Sequence, residues 1–199
     1  GLGTSAVKDI ATANSTGDIN RISTTVIVFR RLVWFTGLLG SFVVLLLSPL
    51  LSRIAFGNED YVIAFIWISI TLLFNQLSSG QLVILQGMRK LHYLAKANLT
   101  GSSVGLIVTV PIYYFWGQNG IVPGIIATAI VTLIFTSFYA KKERISQIEV
   151  SKAITISEGK KMLQMGFIIN ITFLLQALAS FILRIFIRHE GGIDQVGLY

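Results

Sequence analysis

Apolar residues in this chain run together rather than alternating with polar ones. The charged residues cluster and leave four windows with none, at residues 32–52, 61–88, 97–140 and 162–183. A helix needs about 20 apolar residues to cross the hydrocarbon core of a bilayer. Three of the windows have room for one crossing each. The third in chain order is long enough for two and is interrupted by Gly117-Gln118-Asn119-Gly120, a turn signal. The pattern therefore predicts five transmembrane helices, at about residues 32–52, 61–88, 94–116, 121–140 and 162–187. A soluble amphipathic helix would show a polar face, and these windows are apolar nearly all round. A membrane β-barrel would show alternating segments of about ten residues, a pattern absent from this sequence. The predicted fold class is an all-α, polytopic membrane helix bundle.

Composition agrees. Of the 199 residues, 53% are hydrophobic and only 13% charged, with a mean hydropathy of +0.74. A soluble domain carries about a quarter charged residues, and half that density cannot cover a water-facing surface. There is no cysteine, which excludes disulfides and thiolate chemistry.

The net charge of +7 would suggest nucleic acid in a soluble protein. Here its distribution has another cause. Lys8, Arg21, Arg30 and Arg31 precede the first span. Arg89, Lys90 and Lys96 lie between the second and third, and Lys141, Lys142, Arg144, Lys152, Lys160 and Lys161 between the fourth and fifth. The opposite segments hold only Arg53, Arg184 and Arg188. Positive charge marks the cytoplasmic side, so residues 141–161 are expected to be cytoplasmic. The run from Lys141 reads first as this topology signal, second as a contact for anionic lipid, and last as a nucleic-acid site.

Residues 1–7 read as the end of a helix whose start lies outside the chain, and the whole as an internal piece of a longer protein. In residues 18–31, Ile19, Ile22, Val26 and Phe29 recur at helical spacing and extend the first span into the cytoplasm. In residues 141–161, Ile145, Ile148, Ile154 and Ile156 predict a short helix on the membrane surface. Gly101 with Gly105, and Gly120 with Gly124, form two GxxxG patterns that suit close helix packing.

Polar residues inside spans usually face protein or water rather than lipid. Asn75, Ser79 and Gln86 share one face of the second span, and Asn170, Ala177, Ser180 and Arg184 one face of the fifth. Such stripes fit a water-filled cavity, and equally fit helix–helix association through amide hydrogen bonds. Arg184, late in an apolar run, reads either as a cavity residue or as a side chain snorkelling to the interface. Lys8 has the same two readings, and Asp9 beside it reads either as a partner for a cation or as a local cap on charge. His92 and His189 are isolated, no acidic cluster has metal-ligand spacing, and no P-loop is present. The sequence points to a protein that moves something rather than an enzyme.

Several pieces resemble the polysaccharide and O-antigen flippases of the multidrug/oligosaccharidyl-lipid/polysaccharide exporter superfamily. They are residues 1–11 (GLGTSAVKDIA), 29–40 (FRRLVWFTGLLG), 81–96 (QLVILQGMRKLHYLAK), 111–123 (PIYYFWGQNGIVP) and 191–199 (GGIDQVGLY). The resemblance implies that the chain runs from the end of helix two through helix seven of a two-lobe, alternating-access transporter. Residues 1–140 would be a partial N-terminal lobe, 141–161 the inter-lobe linker, and 162–199 the first helix of a second lobe whose remainder is missing here. It implies a bacterial inner (plasma) membrane protein that flips undecaprenyl-diphosphate-linked oligosaccharide to the outer leaflet for polysaccharide biosynthesis. No cofactor is implied beyond coupling to a proton or sodium gradient. Lys8 and Arg184 match basic positions of the family that meet the diphosphate, and Asn75, Gln86 and Asn170 would line the sugar path. The alternatives are a drug–cation antiporter or peptidoglycan-precursor flippase of the same superfamily, or a non-transport membrane protein of polysaccharide assembly.

Overall fold

A computed structural model describes the backbone of residues 1–143, 145–146 and 148–198, and the side chains of these up to residue 180. The elements are α1 (Leu2–Ser15), α2 (Ile19–Phe56), α3 (Val62–Gly87), α4 (Leu91–Trp116), a 3-10 turn (Gly117–Gly120), α5 (Ile121–Lys141) and α6 (Lys152–Leu198). No strand occurs among the described residues. Among the described residues, four apolar segments are long enough to cross a membrane. One of them, Leu91–Lys141, is 51 residues long and folds back at the Gly117–Gly120 turn into α4 and α5. At 1.5 Å per residue, the 21 residues of α5 span about 31 Å, a full membrane crossing. The expected break at Gly117–Gly120 is therefore where the chain turns.

Local chemistry sets the helix ends. The Asp18 carboxylate caps α2 by accepting from the Asn20 and Arg21 backbone N–H groups at 2.9 and 3.3 Å. The helix runs without a break from Ile19, so residues 18–31 do extend the first span. Gly57 ends α2 at φ +74°, and its N–H donates to the Arg53 carbonyl. At the end of α3, Arg89 N–H donates to Gln86 O and Lys90 N–H to Leu85 O, the paired bonds of a Schellman turn. The left-handed position of that turn, φ +58°, is occupied by Arg89 rather than glycine.

α2 and α3 form one antiparallel hairpin, and α4 and α5 a second, which packs through α5 against α3. α1 lies parallel to α3, with Gly3 beside Val83 and Gly87 beside Ile10. α6 crosses α1 and α2, with Gly166 against Leu2 and Gly159 against Leu32. Both GxxxG patterns are used for packing: Gly101 and Gly105 abut Thr132 and Thr128 of α5, and Gly124 abuts Tyr113 of α4.

The distribution of side chains is that of a protein in lipid. Phe35, Leu39, Phe42, Leu46 and Leu50 of α2 are all exposed, whereas Ser48, Ser52, Ser69, Thr71, Ser78 and Thr136 are buried. Lipid is as apolar as leucine, so the helices associate through small residues and interhelical hydrogen bonds. Ser41 donates to the Ser69 carbonyl at 2.6 Å, and the Thr109 and Thr128 hydroxyls meet at 2.7 Å. A conventional apolar core, with Ala6, Ile10, Val26, Phe29, Leu32, Ile84, Val150 and Met162, forms where α1, α2, α3 and α6 converge.

That core is at the basic end of the bundle. The segment between α5 and α6 does not form the expected surface helix. Its described residues are irregular up to Ser151, and Ile154 and Ile156 belong to the first turns of α6. Ile145 and Ile148 pack against the core instead, and Val150 is part of it. Packing against that core takes these apolar side chains out of water. Arg31 fastens the segment by donating to the Val150 carbonyl at 3.0 Å and to the Thr155 hydroxyl. Lys90 pairs with Glu143 at 3.0 Å, so the α3–α4 turn and the start of this segment also meet. The three basic segments thus share one end, opposite Arg53, whose guanidinium pairs with Glu59.

Candidate functional site

A space of about 730 Å³ opens between α2, α3, α6 and the first residues of the chain, Gly1, Leu2 and Gly3. Thr36 of α2, Gln76 of α3, and Gln164 and Asn170 of α6 supply its polar lining, with Leu2, Leu163 and Phe167 as apolar wall. All four polar residues fall in the charge-free windows of the sequence. The Gln76 amide donates to the Thr36 hydroxyl at 3.2 Å, and that hydroxyl donates to the Leu32 carbonyl at 2.8 Å. Gly37 makes this approach possible, because a Cβ there would lie 2.9 Å from Leu73 and 3.2 Å from Gln76. Small residues also hold α6 onto α1: a Cβ at Gly166 would lie 2.9 Å from the Leu2 backbone.

The predicted site residues are not gathered in one place. Asn170 lines the cleft. Asn75 and Gln86 are exposed on α3 with Ser79 and do not line it. Lys8 is exposed on α1, five residues beyond Gly3 and about 7.5 Å further along the helix axis. The Arg184 side chain lies outside the described residues. Three polar lining side chains were not anticipated: Thr36, Gln76 and Gln164. Gln76 had a signal, since it is the neighbour of Asn75, but adjacent helical positions point about 100° apart.

Beyond the cleft, toward the basic end, α1 and α6 bring together Lys8, Asp9, Glu158 and Lys161. Lys161 pairs with Glu158 at 3.0 Å. Asp9 is partly buried there. No group of three or more His, Asp or Glu among the described residues is placed to hold a metal ion.

Amides and hydroxyls of this kind exchange hydrogen bonds with hydroxyl-rich ligands, and no nucleophile–base pair accompanies them in the lining. Fold and cleft define the class: an all-α, polytopic integral membrane protein with a polar recess among its helices. No family model matches the chain, and no curated protein or solved structure is significantly similar to it.

Proposed function

We propose that the chain is part of a lipid-linked oligosaccharide flippase of the bacterial plasma membrane, comprising most of one lobe, the linker and the first helix of the next lobe. It would carry undecaprenyl-diphosphate-linked oligosaccharide from the cytoplasmic to the outer leaflet, with the basic end cytoplasmic. The observation that carries this reading is the cleft, in which Thr36, Gln76, Gln164 and Asn170 face one space between membrane helices. Uncharged hydrogen-bonding groups suit sugar hydroxyls at a depth where a buried charge would be costly. The motif at residues 81–96 and its companions support the same reading by resemblance. Lys8, which is nearer the basic end and does not line the cleft, would meet a diphosphate entering from that side, as an ammonium suits phosphate. The sugar path would be completed by the second lobe.

The test uses the complete protein in its own cell. Gln76→Leu and Asn170→Leu, each at wild-type membrane abundance, are expected to abolish surface polysaccharide and accumulate the lipid-linked precursor. Unchanged export in both overturns the reading. Unchanged export in Lys8→Ala and Arg184→Ala alone removes those two cations from the site and leaves the cleft.

One observation favours a second reading. Asp9, partly buried beside Lys8, Glu158 and Lys161, is a carboxylate of the kind a cation-coupled exporter of the same superfamily would use. Loss of drug efflux in Asp9→Asn, with polysaccharide export intact, would decide for it.

A further inference from the structure

At the basic end of the α4–α5 hairpin, Leu133, Ile134, Ser137, Phe138 and Lys141 line a shallow groove of about 350 Å³. Their spacing of one, three, one and three residues keeps them on a single face of α5. Ile134 and Phe138 are exposed, at 58% and 55%. The groove therefore begins as an apolar surface within the membrane and ends at an ammonium group at its rim.

The surroundings raise the positive potential at that rim. Lys142 Nζ lies over the rings of Phe138, Tyr139 and Tyr93, at 4.8, 5.2 and 5.8 Å from their centroids. Aromatic faces hold such a cation in position without neutralising it. Glu143, the nearest carboxylate in sequence, is taken up by Lys90 at 3.0 Å. Lys141 is exposed and forms no ion pair among the described residues. Two cations with no described carboxylate partner thus stand beside an apolar channel at the basic end of α5, next to Tyr93 and Tyr139, a residue type enriched at membrane–water interfaces.

We propose that this face of α5, residues 133–141, together with Lys142, binds one anionic phospholipid of the leaflet at the basic end. One acyl chain lies along Leu133, Ile134 and Phe138, Ser137 lets it approach the helix closely, and the phosphate sits between the Lys141 and Lys142 ammonium groups. A chain with a zwitterionic headgroup fits the same channel, but its own cation would repel the lysines, which gives the site its selectivity.

Native mass spectrometry of the detergent-purified full chain tests this with dioleoylphosphatidylglycerol and dioleoylphosphatidylcholine. The wild type is expected to retain one phosphatidylglycerol about tenfold more readily than phosphatidylcholine, a fold-change typical of one well-placed charge contact. Lys141→Gln should abolish the preference and Lys141→Arg keep it. Ser137→Trp, which fills the channel and leaves both lysines, should lose the retained lipid. Lys160→Gln, which removes an exposed cation from α6, should change nothing. Retention of the preference in Lys141→Gln, or an equal loss in Lys160→Gln, overturns the site. Displacement of the lipid by millimolar inorganic phosphate also overturns it, in favour of a simple anion contact. Should Lys141→Gln fail to fold, as read by its thermal unfolding, Ser137→Trp and Lys141→Arg still decide the outcome.

Discussion

Thr36 and Gln76 meet across the α2–α3 hairpin, with the amide Nε2 of Gln76 donating to the Thr36 hydroxyl at 3.2 Å. Two polar side chains that would each be costly against lipid thereby partner one another and form a corner of the cleft. The bond joins α2 and α3 with Gln76, rather than the exposed Asn75, as the amide turned into the bundle.

A double-mutant cycle with Thr36→Ala and Gln76→Ala measures that bond. Interhelical hydrogen bonds in membranes average about 0.6 kcal/mol and reach about 1.7 kcal/mol. Unfolding equilibria in mixed micelles should give a favourable coupling energy within that range. A coupling of zero would mean that the pair contributes nothing to helix association.

Close packing of α1 on α3 predicts a contrast between two glycines. A Cβ on Gly87 would lie 2.7 Å from the Ile10 Cβ, whereas a Cβ on Gly40 would meet nothing within 4 Å. Gly87→Ala should cost about 1–3 kcal/mol by overpacking. Gly40→Ala should be neutral or gain about 0.5–1 kcal/mol, as alanine does in a helix interior. Thermal unfolding of the two variants in the same detergent is the check.

Arg89 adopts φ +58° in the Schellman turn after α3. That conformation costs an L-residue about 1–2 kcal/mol and glycine almost nothing. Arg89→Gly should therefore raise stability by about 1 kcal/mol, reduced by the greater freedom of glycine in the unfolded chain. A fall in melting temperature would show that the Arg89 side chain contributes more than its backbone costs.

The topology is open to a direct test because the chain has no cysteine. Asn119→Cys, in the turn between α4 and α5, and Ser146→Cys, in the segment before α6, place unique thiols at opposite ends of the bundle. A membrane-impermeant maleimide added to intact cells should label Asn119→Cys only. In inside-out vesicles it should label Ser146→Cys only.

The membrane class, the helices and their break at Gly117–Gly120 were legible in the sequence, because each depends on local properties. A charge-free apolar window of sufficient length crosses a bilayer whatever surrounds it. A Gly-Gln-Asn-Gly run turns the chain, and Asp18 caps α2 through its own neighbours. The clustering of basic segments was legible for the same reason. What the sequence did not determine was the rotation of each helix about its axis. Asn75, Ser79 and Gln86 share a face, but only packing decides whether that face or the Gln76 face turns inward, and small residues at Gly37, Gly80 and Gly87 decide the packing. The segment after α5 shows the same limit. Its isoleucines have a helical rhythm, yet α2 offers them a core to fill and Arg31 a hydrogen bond to the backbone, and those tertiary contacts outweigh local propensity.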